Sequence, residues 1–242
     1  MKVTVIAETK LTLEFYELEQ VKRARPDQLQ GTDSEVLAEF AGRVCYDSFG
    51  VGRDSDGFAA NIVEHKHFNV LYHPHYSLFI EGVSRNLSHE LVRHHVGFSP
   101  SQRSTRYCDE SESPVVHHPQ VQAILDEEGG MKADLLFDLA ELTGEGRDTY
   151  RRVIDKLKER GLDRKTAQGA AARYLPNGIE TELVWSGNLY AFTSMLERRT
   201  ALVADEEFRL LGVEMLRKLT AKAPRYFRPL AIKCGLIDEV KS

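Results

Sequence analysis

Cysteines and long apolar runs are scarce in this chain of 242 residues. The three cysteines, Cys45, Cys108 and Cys234, lie far apart and form no Cys-x-x-Cys pair, which argues against a disulfide framework and a thiolate zinc site. No apolar run approaches the roughly 18 residues that a membrane-spanning helix needs. Glu8 and Lys10 interrupt the first segment too early for a signal peptide. We therefore expect a cytoplasmic protein with no membrane partner.

An excess of positive charge is also absent, since the formal net charge is −5. General nucleic-acid binders usually carry a strongly basic surface, so we expect no nucleic-acid partner. An anionic ligand would need a local concentration of cations. No Pro/Gly/Ser-rich linker divides the chain, and its apolar content of 42% is ordinary for a globular protein. We therefore expect one domain over residues 1–242.

Several common catalytic signatures are missing. The sequence has no Gly-x-Gly-x-x-Gly stretch, no phosphate loop with its lysine and no Gly-x-Ser-x-Gly elbow. A dinucleotide would therefore be held by scattered residues, and no enzyme nucleophile is indicated. Seven of the nine histidines lie between positions 65 and 95, but His89, Glu90 and His94 do not reproduce a zincin motif. We expect no metal site there, and instead stacking on a ligand or hydrogen bonding to it.

Apolar periodicity predicts an α+β fold, in which strands and helices are interspersed without a regular βαβ rhythm. Predicted strands cover residues 2–7, 75–83, 105–108 and 180–185. Predicted helices cover residues 32–46, 59–71, 87–95, 135–157, 163–174, 188–199 and 205–222. A capping box at Thr32 opens the first of these helices. Gly97 and Pro100 predict a loop, residues 109–114 a surface loop, and Pro224 the end of the last helix.

A cluster of arginines provides the local positive charge that the composition lacks. Between positions 85 and 106 there are four arginines, no lysine and one acid, Glu90; the arginines are Arg85, Arg93, Arg103 and Arg106. A guanidinium binds phosphate in two-point geometry and stays charged. The same stretch supplies short donors at Ser99, Ser101, Gln102, Ser104 and Thr105. These residues indicate an anion site, although Glu90 and Arg93 at i,i+3 spacing could also form a simple surface pair.

One segment within this cluster resembles a known signature. Arg93-His94-His95, followed after eight residues by Ser104 and then by Arg106-Tyr107, resembles the signature of flavin-dependent thymidylate synthases. That signature is an Arg-His-Arg triplet, seven residues and a serine. Further similarities follow in the family's order, at Ala41-Gly42-Arg43-Val44-Cys45-Tyr46, His67-x-Asn69-x-x-x-His73, Arg173-Tyr174-Leu175-Pro176-Asn177, Gly187-Asn188 and Glu197-Arg198-Arg199. The likeness spans roughly residues 1–230.

The resemblance implies a fold, a reaction and an assembly. The fold would be a twisted, mainly antiparallel sheet flanked by helices. The enzyme would transfer a methylene group from 5,10-methylenetetrahydrofolate to dUMP and reduce it with FADH2, with NADPH as the reductant, to make dTMP. The protein would mainly bind and orient the substrates and the flavin and polarise the pyrimidine base, since the family needs no enzyme nucleophile on the pyrimidine. The family is homotetrameric, with sites at subunit interfaces.

The resemblance also implies site residues. FAD would contact Asn69, Arg93, His94, His95, Gln102, Asn188 and Tyr190. The dUMP site would use Arg85, Glu90, Arg93, Gln102, Ser104, Arg106, Arg173 and Arg199. Arg199 would be the catalytic residue, facing the uracil ring and stabilising negative charge on it. Without the resemblance, Arg199 is a cation in the last turn of a helix, where cations are generally favourable.

The chain departs from the family pattern at several positions. His95 replaces the third motif residue, and one additional residue precedes Ser104. Arg173 lies three residues before Pro176, where the family has four. Tyr72 stands in place of a glutamate, and Val203 where histidine is common.

Two other functions remain open from the sequence. A non-catalytic nucleotide- or nucleic-acid-binding relative could use the arginine cluster without chemistry and would have no need of flavin. A histidine-dependent metal hydrolase acting on phosphate esters would lose activity to a strong chelator.

Overall fold

The computed structural model describes residues 1–127 and 130–238. In this part of the chain the strands are β1 (Lys2–Glu8), β2 (His75–Ser84), β3 (Phe98–Gln102) and β4 (Glu180–Asn188). They form one antiparallel sheet in the order β1-β2-β4-β3. The pairing of β2 with β4 is fixed at both ends, because Leu189 N–H donates to Pro74 O at 2.8 Å and Arg85 N–H donates to Ile179 O at 3.0 Å.

Helices make up most of the remaining described chain. The α-helices are α1 (Leu13–Tyr16), α2 (Glu19–Lys22), α3 (Asp33–Tyr46), α4 (Ser55–Glu64), α5 (Arg85–Leu91), α6 (Pro119–Asp126), α7 (Gly130–Glu159), α8 (Arg164–Ala171), α9 (Leu189–Arg199), α10 (Glu206–Thr220) and α11 (Pro224–Lys233). Short 3-10 helices cover Phe68–Tyr72 and Ala172–Tyr174. None of these helices is long and apolar enough to cross a membrane, within the residues described. The predicted α+β class is confirmed.

The chain divides into two compact units. The first unit comprises Met1, Glu81–Arg93 and Ser101–Leu183. The second unit comprises Lys2–Ile80, His94–Pro100 and Val184–Ser242. Strands β2, β3 and β4 each contribute residues to both units. One domain over residues 1–242 stays a prediction.

The core of the second unit follows from the alternation of apolar residues along its strands. Tyr76, Leu78 and Ile80 of β2 are each at most 1% exposed, as is Trp185 of β4. The ring of Phe98 lies 4.9 Å from Trp185, centroid to centroid. Apolar faces of α9, α10 and α11 complete this core, with fully buried side chains at Phe192, Met195, Phe208, Leu211, Met215 and Phe227.

The first unit has a smaller core between α7 and α8. Tyr150 and Ile154 of α7 pack with Ala167 and Ala171 of α8. Small alanine side chains let the two helices approach closely. The Tyr150 hydroxyl accepts a hydrogen bond from the Glu110 backbone at 3.4 Å, so the buried phenol keeps a polar partner.

The structure corrects several predicted boundaries. The helix predicted at residues 59–71 is wrong, because α4 ends at Glu64 and Lys66 adopts a left-handed φ of 56° before a separate 3-10 turn. The strand predicted at residues 105–108 is a turn, closed by Tyr107 and Cys108 N–H groups donating to Ser104 O.

Two prolines also occupy positions that differ from the prediction. Pro100 lies inside β3, not in a loop, and β3 is an edge strand, where a missing N–H can face away from the sheet. Pro224 opens α11, because proline is suited to the first helical position. Sequence periodicity did not predict α1, α2, α6 or α11.

Close packing around Gly187 gives a test of the second unit's core. A Cβ at Gly187 would overlap the Phe98 ring, so Gly187→Ala should lower the free energy of unfolding by about 1–3 kcal/mol. Gly144 of α7 has open space at its Cβ, so Gly144→Ala should instead raise stability by about 0.5–1 kcal/mol. Urea denaturation followed by circular dichroism measures both changes, and equal effects of the two variants would contradict the packing described.

Candidate functional site

The start of α5 places one group of predicted ligand residues in the first unit. Ser84 caps α5, so Arg85 is its first residue. The Ser88 hydroxyl donates to Arg85 O at 2.8 Å and accepts a hydrogen bond from Gln102 Nε2 at 2.9 Å. Gln102 Nε2 also donates to the Thr181 hydroxyl at 3.2 Å. The fold therefore brings Arg85 and Gln102 together and fixes the orientation of the Gln102 amide.

Arg103 has a structural task within the predicted arginine cluster. Its Nε donates to Glu110 Oε1 at 3.1 Å, and its side chain also lies 3.6 Å from a Glu182 carboxylate oxygen. The Glu110 side chain is only 1% exposed, so its charge needs a nearby cation. Arg103 supplies that cation, so its contacts give it a structural role in the first unit.

Arg106 and Arg173 meet at Gly169 of α8. Arg173 donates from a terminal guanidinium nitrogen to Gly169 O at 2.6 Å. A Cβ at Gly169 would lie only 3.2 Å from Arg106 Cγ, so the aliphatic part of Arg106 passes over this glycine. Both arginines are exposed, and Ser104 Oγ accepts from the Arg106 N–H at 3.3 Å. Two guanidinium groups and a hydroxyl in one neighbourhood are suited to a phosphate.

The cations beside this group also act on a neighbouring phenol. Lys165 Nζ lies 4.8 Å from the centre of the Tyr107 ring. Its hydrogen bond and its charge lower the pKa of Tyr107 below the ordinary value, and Arg106 adds a smaller effect in the same direction. Lys165 thus adds a third cation beside Arg106 and Arg173.

In the second unit, Arg199 contacts a residue of the sequence motif. Arg199 Nε donates to His94 Nε2 at 2.9 Å, although 105 residues separate them in sequence. The Arg199 guanidinium also lies over Phe208, 4.4 Å from the ring centre, and the His94 ring meets Phe208 edge to face. Because Nε2 accepts this bond, we assign the His94 proton to Nδ1. The aromatic ring and the imidazole hold the guanidinium in one orientation.

Asn69 lines a cavity of about 400 Å³ in the second unit. The 3-10 turn Phe68–Tyr72 places Asn69 there beside His67, and Arg53 also lines the cavity. The other lining residues are Gly42, Arg43, Cys45, Tyr46, Ser48, Val51, Gly52, Phe58, Asn61, Ile62 and Val70. Its size and its mixture of apolar surface with a few polar groups are typical of a ligand site.

Asn188 and His95 occupy different settings in the second unit. Asn188 is 6% exposed and caps α9, since its Oδ1 accepts from Ala191 N–H at 2.8 Å. One of its two polar side-chain atoms is thus committed to the helix. His95 is exposed, and its backbone carbonyl accepts from Phe98 N–H at 3.4 Å.

Tyr190 packs against the 3-10 turn that carries Asn69. Its ring lies 5.1 Å from Phe68 and 5.2 Å from Tyr72, centroid to centroid. Tyr190 lines a second, largely apolar cavity of about 280 Å³, whose polar residues include Glu197 and Lys233.

The two predicted ligand sets fall mostly into different units. All residues predicted to bind dUMP lie in the first unit except Arg199. All residues predicted to bind FAD lie in the second unit except Arg93 and Gln102. Among residues 1–127 and 130–238, no group of three or more His, Cys, Asp and Glu side chains could hold a metal ion.

Sequence reasoning missed several residues that shape these sites. Phe208, which packs on both Arg199 and His94, has only the helical period of α10 as its sequence signal. Thr181 reaches Gln102 from 79 residues away, and nothing local marks it. Gln28 and Arg43 are buried polar residues near the 400 Å³ cavity, and Arg43 stands inside a quoted motif without an assigned role.

The different tasks of Arg103 and Arg106 can be tested by stability. Arg103→Ala leaves the Glu110 carboxylate buried without its cation, so it should lower the free energy of unfolding by about 2 kcal/mol. This value is below that for a fully buried pair because the Arg103 side chain is 35% exposed. Arg106→Ala should change stability by less than about 0.5 kcal/mol. Chemical denaturation measures both, and a larger loss for Arg106→Ala would contradict the assignment.

Comparison with known proteins connects these features to one family. Residues 29–225 match the family Thy1, described as thymidylate synthase complementing protein. A flavin-dependent thymidylate synthase of Mycobacterium tuberculosis is 38% identical over 218 residues, 84% of each chain. One from Mycolicibacterium vanbaalenii is 35% identical over 246 residues, 96% of this chain and 90% of its own. The matched region contains the Arg106–Arg173 group, the Arg199–His94 contact and the cavity of Asn69, and the chain belongs to the Thy1 family.

Proposed function

We propose that this protein is a flavin-dependent thymidylate synthase. It transfers a methylene group from 5,10-methylenetetrahydrofolate to C5 of dUMP, and two-electron reduction converts that group to the methyl of dTMP, with the electrons coming from NADPH. The products are dTMP, tetrahydrofolate and NADP⁺, and the hydrogen at C5 leaves as a proton. We propose further that the enzyme works as a homotetramer with sites at subunit interfaces.

The contact between Arg199 and His94 carries this proposal. Two segments that resemble the family's signatures, 105 residues apart, meet through it at 2.9 Å. Phe208 holds the guanidinium plane, so the cation is oriented before substrate arrives. A fixed guanidinium at the uracil ring would stabilise the negative charge that develops when C5 attacks the methylene carbon. Arg199 is therefore the proposed catalytic residue.

The residues that would hold the dUMP phosphate are the proposed partners of Arg199 in substrate binding. Arg106, Arg173 and Ser104 cluster around Gly169 and present two guanidinium groups. Such groups bind phosphate in two-point geometry and stay charged throughout the neutral range. Arg85, Glu90, Arg93 and Gln102 complete the proposed set in the first unit. Their role is to position C5 of the pyrimidine, which lowers the entropic part of the barrier.

The residues of the second unit fit a flavin nucleotide. Asn69, His67 and Arg53 line the cavity beside apolar residues, and these residue types suit both a ring system and a phosphate. The proposed FAD contacts are Asn69, Arg93, His94, His95, Gln102, Asn188 and Tyr190. FAD would supply redox chemistry that no side chain can provide. Asn188 would contribute its amide nitrogen, because its oxygen caps α9.

Tritium release from 5-tritiated dUMP tests the reaction directly. Replacing the C5 hydrogen by a methyl group sends tritium to water, so release should require FAD, NADPH and methylenetetrahydrofolate together, as shown by omitting each in turn. Release that is lost only when a strong chelator is added would favour a metal enzyme instead. Absence of both release and bound flavin would favour a nucleotide-binding protein without catalytic activity.

Arg199→Ala tests the catalytic role. Loss of the guanidinium should reduce turnover by at least about 100-fold, the scale for removing one group that stabilises developing charge. Arg198→Ala is the matched control, because Arg198 is the neighbouring exposed arginine of α9. Thermal unfolding shows whether both variants stay folded. Wild-type turnover by folded Arg199→Ala would remove Arg199 from the mechanism.

A further inference from the structure

One wall of the 400 Å³ cavity is an irregular loop, residues 47–54. Ser48, Val51, Gly52 and Arg53 of this loop line the cavity, together with His67 and Asn69. The loop joins α3 to α4, and its described residues 47–54 form neither helix nor strand. Its backbone turns through left-handed conformations at Asp47, Gly50 and Gly52, with φ of 44°, 77° and 77°. Its shape must therefore be set by contacts outside its own backbone.

Arg43 makes the first of these contacts. Its side chain is 1% exposed and pairs with Glu39, one turn earlier in α3, through Nε at 2.7 Å and a terminal nitrogen at 2.6 Å. The terminal nitrogens also donate to three loop carbonyls, those of Ser48 at 2.9 Å, Val51 at 3.4 Å and Arg53 at 2.6 Å. One guanidinium thus satisfies a buried carboxylate and three backbone acceptors.

Gln28, which precedes α3 in sequence, makes the second set of contacts with the loop. It is 2% exposed, and its Nε2 donates to Val51 O at 2.8 Å and to Arg53 O at 3.3 Å. Its Oε1 accepts from Gly50 N–H at 2.9 Å and from Arg25 N–H at 3.2 Å. Arg43 and Gln28 therefore share two loop carbonyls, and Gln28 also binds a loop amide.

These contacts tie the cavity wall to α3. Arg43 and Gln28 are 1% and 2% exposed, and buried donors without acceptors are costly, so the loop keeps the conformation in which its carbonyls reach them. Only an arginine presents enough donors in a rigid plane to bind a carboxylate and several carbonyls together. The ring of Phe58, itself part of the cavity wall, lies 5.4 Å below the Arg43 guanidinium carbon and restricts it further.

We propose that Arg43 and Gln28 are positioning residues, which set flavin affinity by holding the 47–54 loop against the cavity of Asn69. The proposal rests on the proposed function, in which this cavity holds part of FAD. Neither residue needs to touch the flavin. A loop that moves away changes the positions of Val51 and Arg53, and with them the complementarity of the wall.

Two conservative variants separate positioning from stability. Arg43→Lys keeps a cation for Glu39, but a single ammonium cannot reach all three carbonyls. Gln28→Met keeps the approximate size of the side chain and removes its hydrogen bonds. Arg225→Lys is the matched control, since Arg225 also binds a buried carboxylate, Glu35 at 2.9 Å, and a backbone carbonyl, but does not line the cavity. If Arg43→Lys fails to fold, Gln28→Met still decides the question.

Two measurements are made on each protein. Hydrogen exchange of residues 47–54 reports the loop without any ligand, and the Gly50 amide reports the Gln28 contact directly. FAD fluorescence titration gives the dissociation constant. We expect loop exchange about tenfold faster and FAD binding about tenfold weaker in Arg43→Lys and Gln28→Met, with the control within about twofold of wild type.

The outcomes distinguish the positioning role of Arg43 and Gln28 from the proposed function as a flavin enzyme. Unchanged loop exchange in the folded variants overturns the positioning role, as does faster exchange with wild-type FAD affinity. Equal weakening in Arg225→Lys also overturns it, because the effect would then be general destabilisation. Wild-type protein that binds no FAD overturns the proposed function and the flavin part of this inference, while the exchange data still decide whether Arg43 and Gln28 hold the loop.

Discussion

The antiparallel pairing of β2 with β4 is the constraint on which the rest of the structure depends. Each strand leads directly into a helix, since α5 begins at Arg85 after β2 and α9 begins at Leu189 after β4. Alternate residues of both strands are buried, so a slip of one residue would turn every core side chain outward. In this register the hydroxyls of Ser77 on β2 and Ser186 on β4 form a hydrogen bond of 2.8 Å. The register therefore decides where α5 and α9 begin.

The arginines show how one residue type is divided between ion pairs with buried carboxylates and exposed positions. Arg43, Arg103 and Arg225 each pair with a carboxylate that is at most 3% exposed. Such a carboxylate would be costly without its cation, so these arginines are required by the fold. Arg106 and Arg173 are exposed and lie together at Gly169, which makes them available to an anion. The acidic composition is thus compatible with a local phosphate site, because three of the carboxylates, those of Glu35, Glu39 and Glu110, are paired inside the fold.

Much of the fold could be predicted from sequence, because local signals agreed with the tertiary structure. The capping box at Thr32 opens α3 as predicted, and the periodicity of β1, β2, α9 and α10 is sufficient to locate them. Predictions failed where a tertiary contact overrides local preference. Pro100 is accepted in β3 because this strand lies at the sheet edge. The interruption at Lys66 depends on a left-handed backbone that its side chain does not favour.

The sequence by itself determined the family and the set of candidate site residues, because both depend on residue types in a fixed order. Only the tertiary structure decided which partners these residues contact. It joins Arg199 to His94 and assigns Arg103 to Glu110. It also shows that Arg43 and Gln28 hold a loop from within the protein. Those partners are distant in sequence or hidden in irregular backbone, and hydrogen bonds that satisfy buried groups cannot be inferred from periodicity or composition.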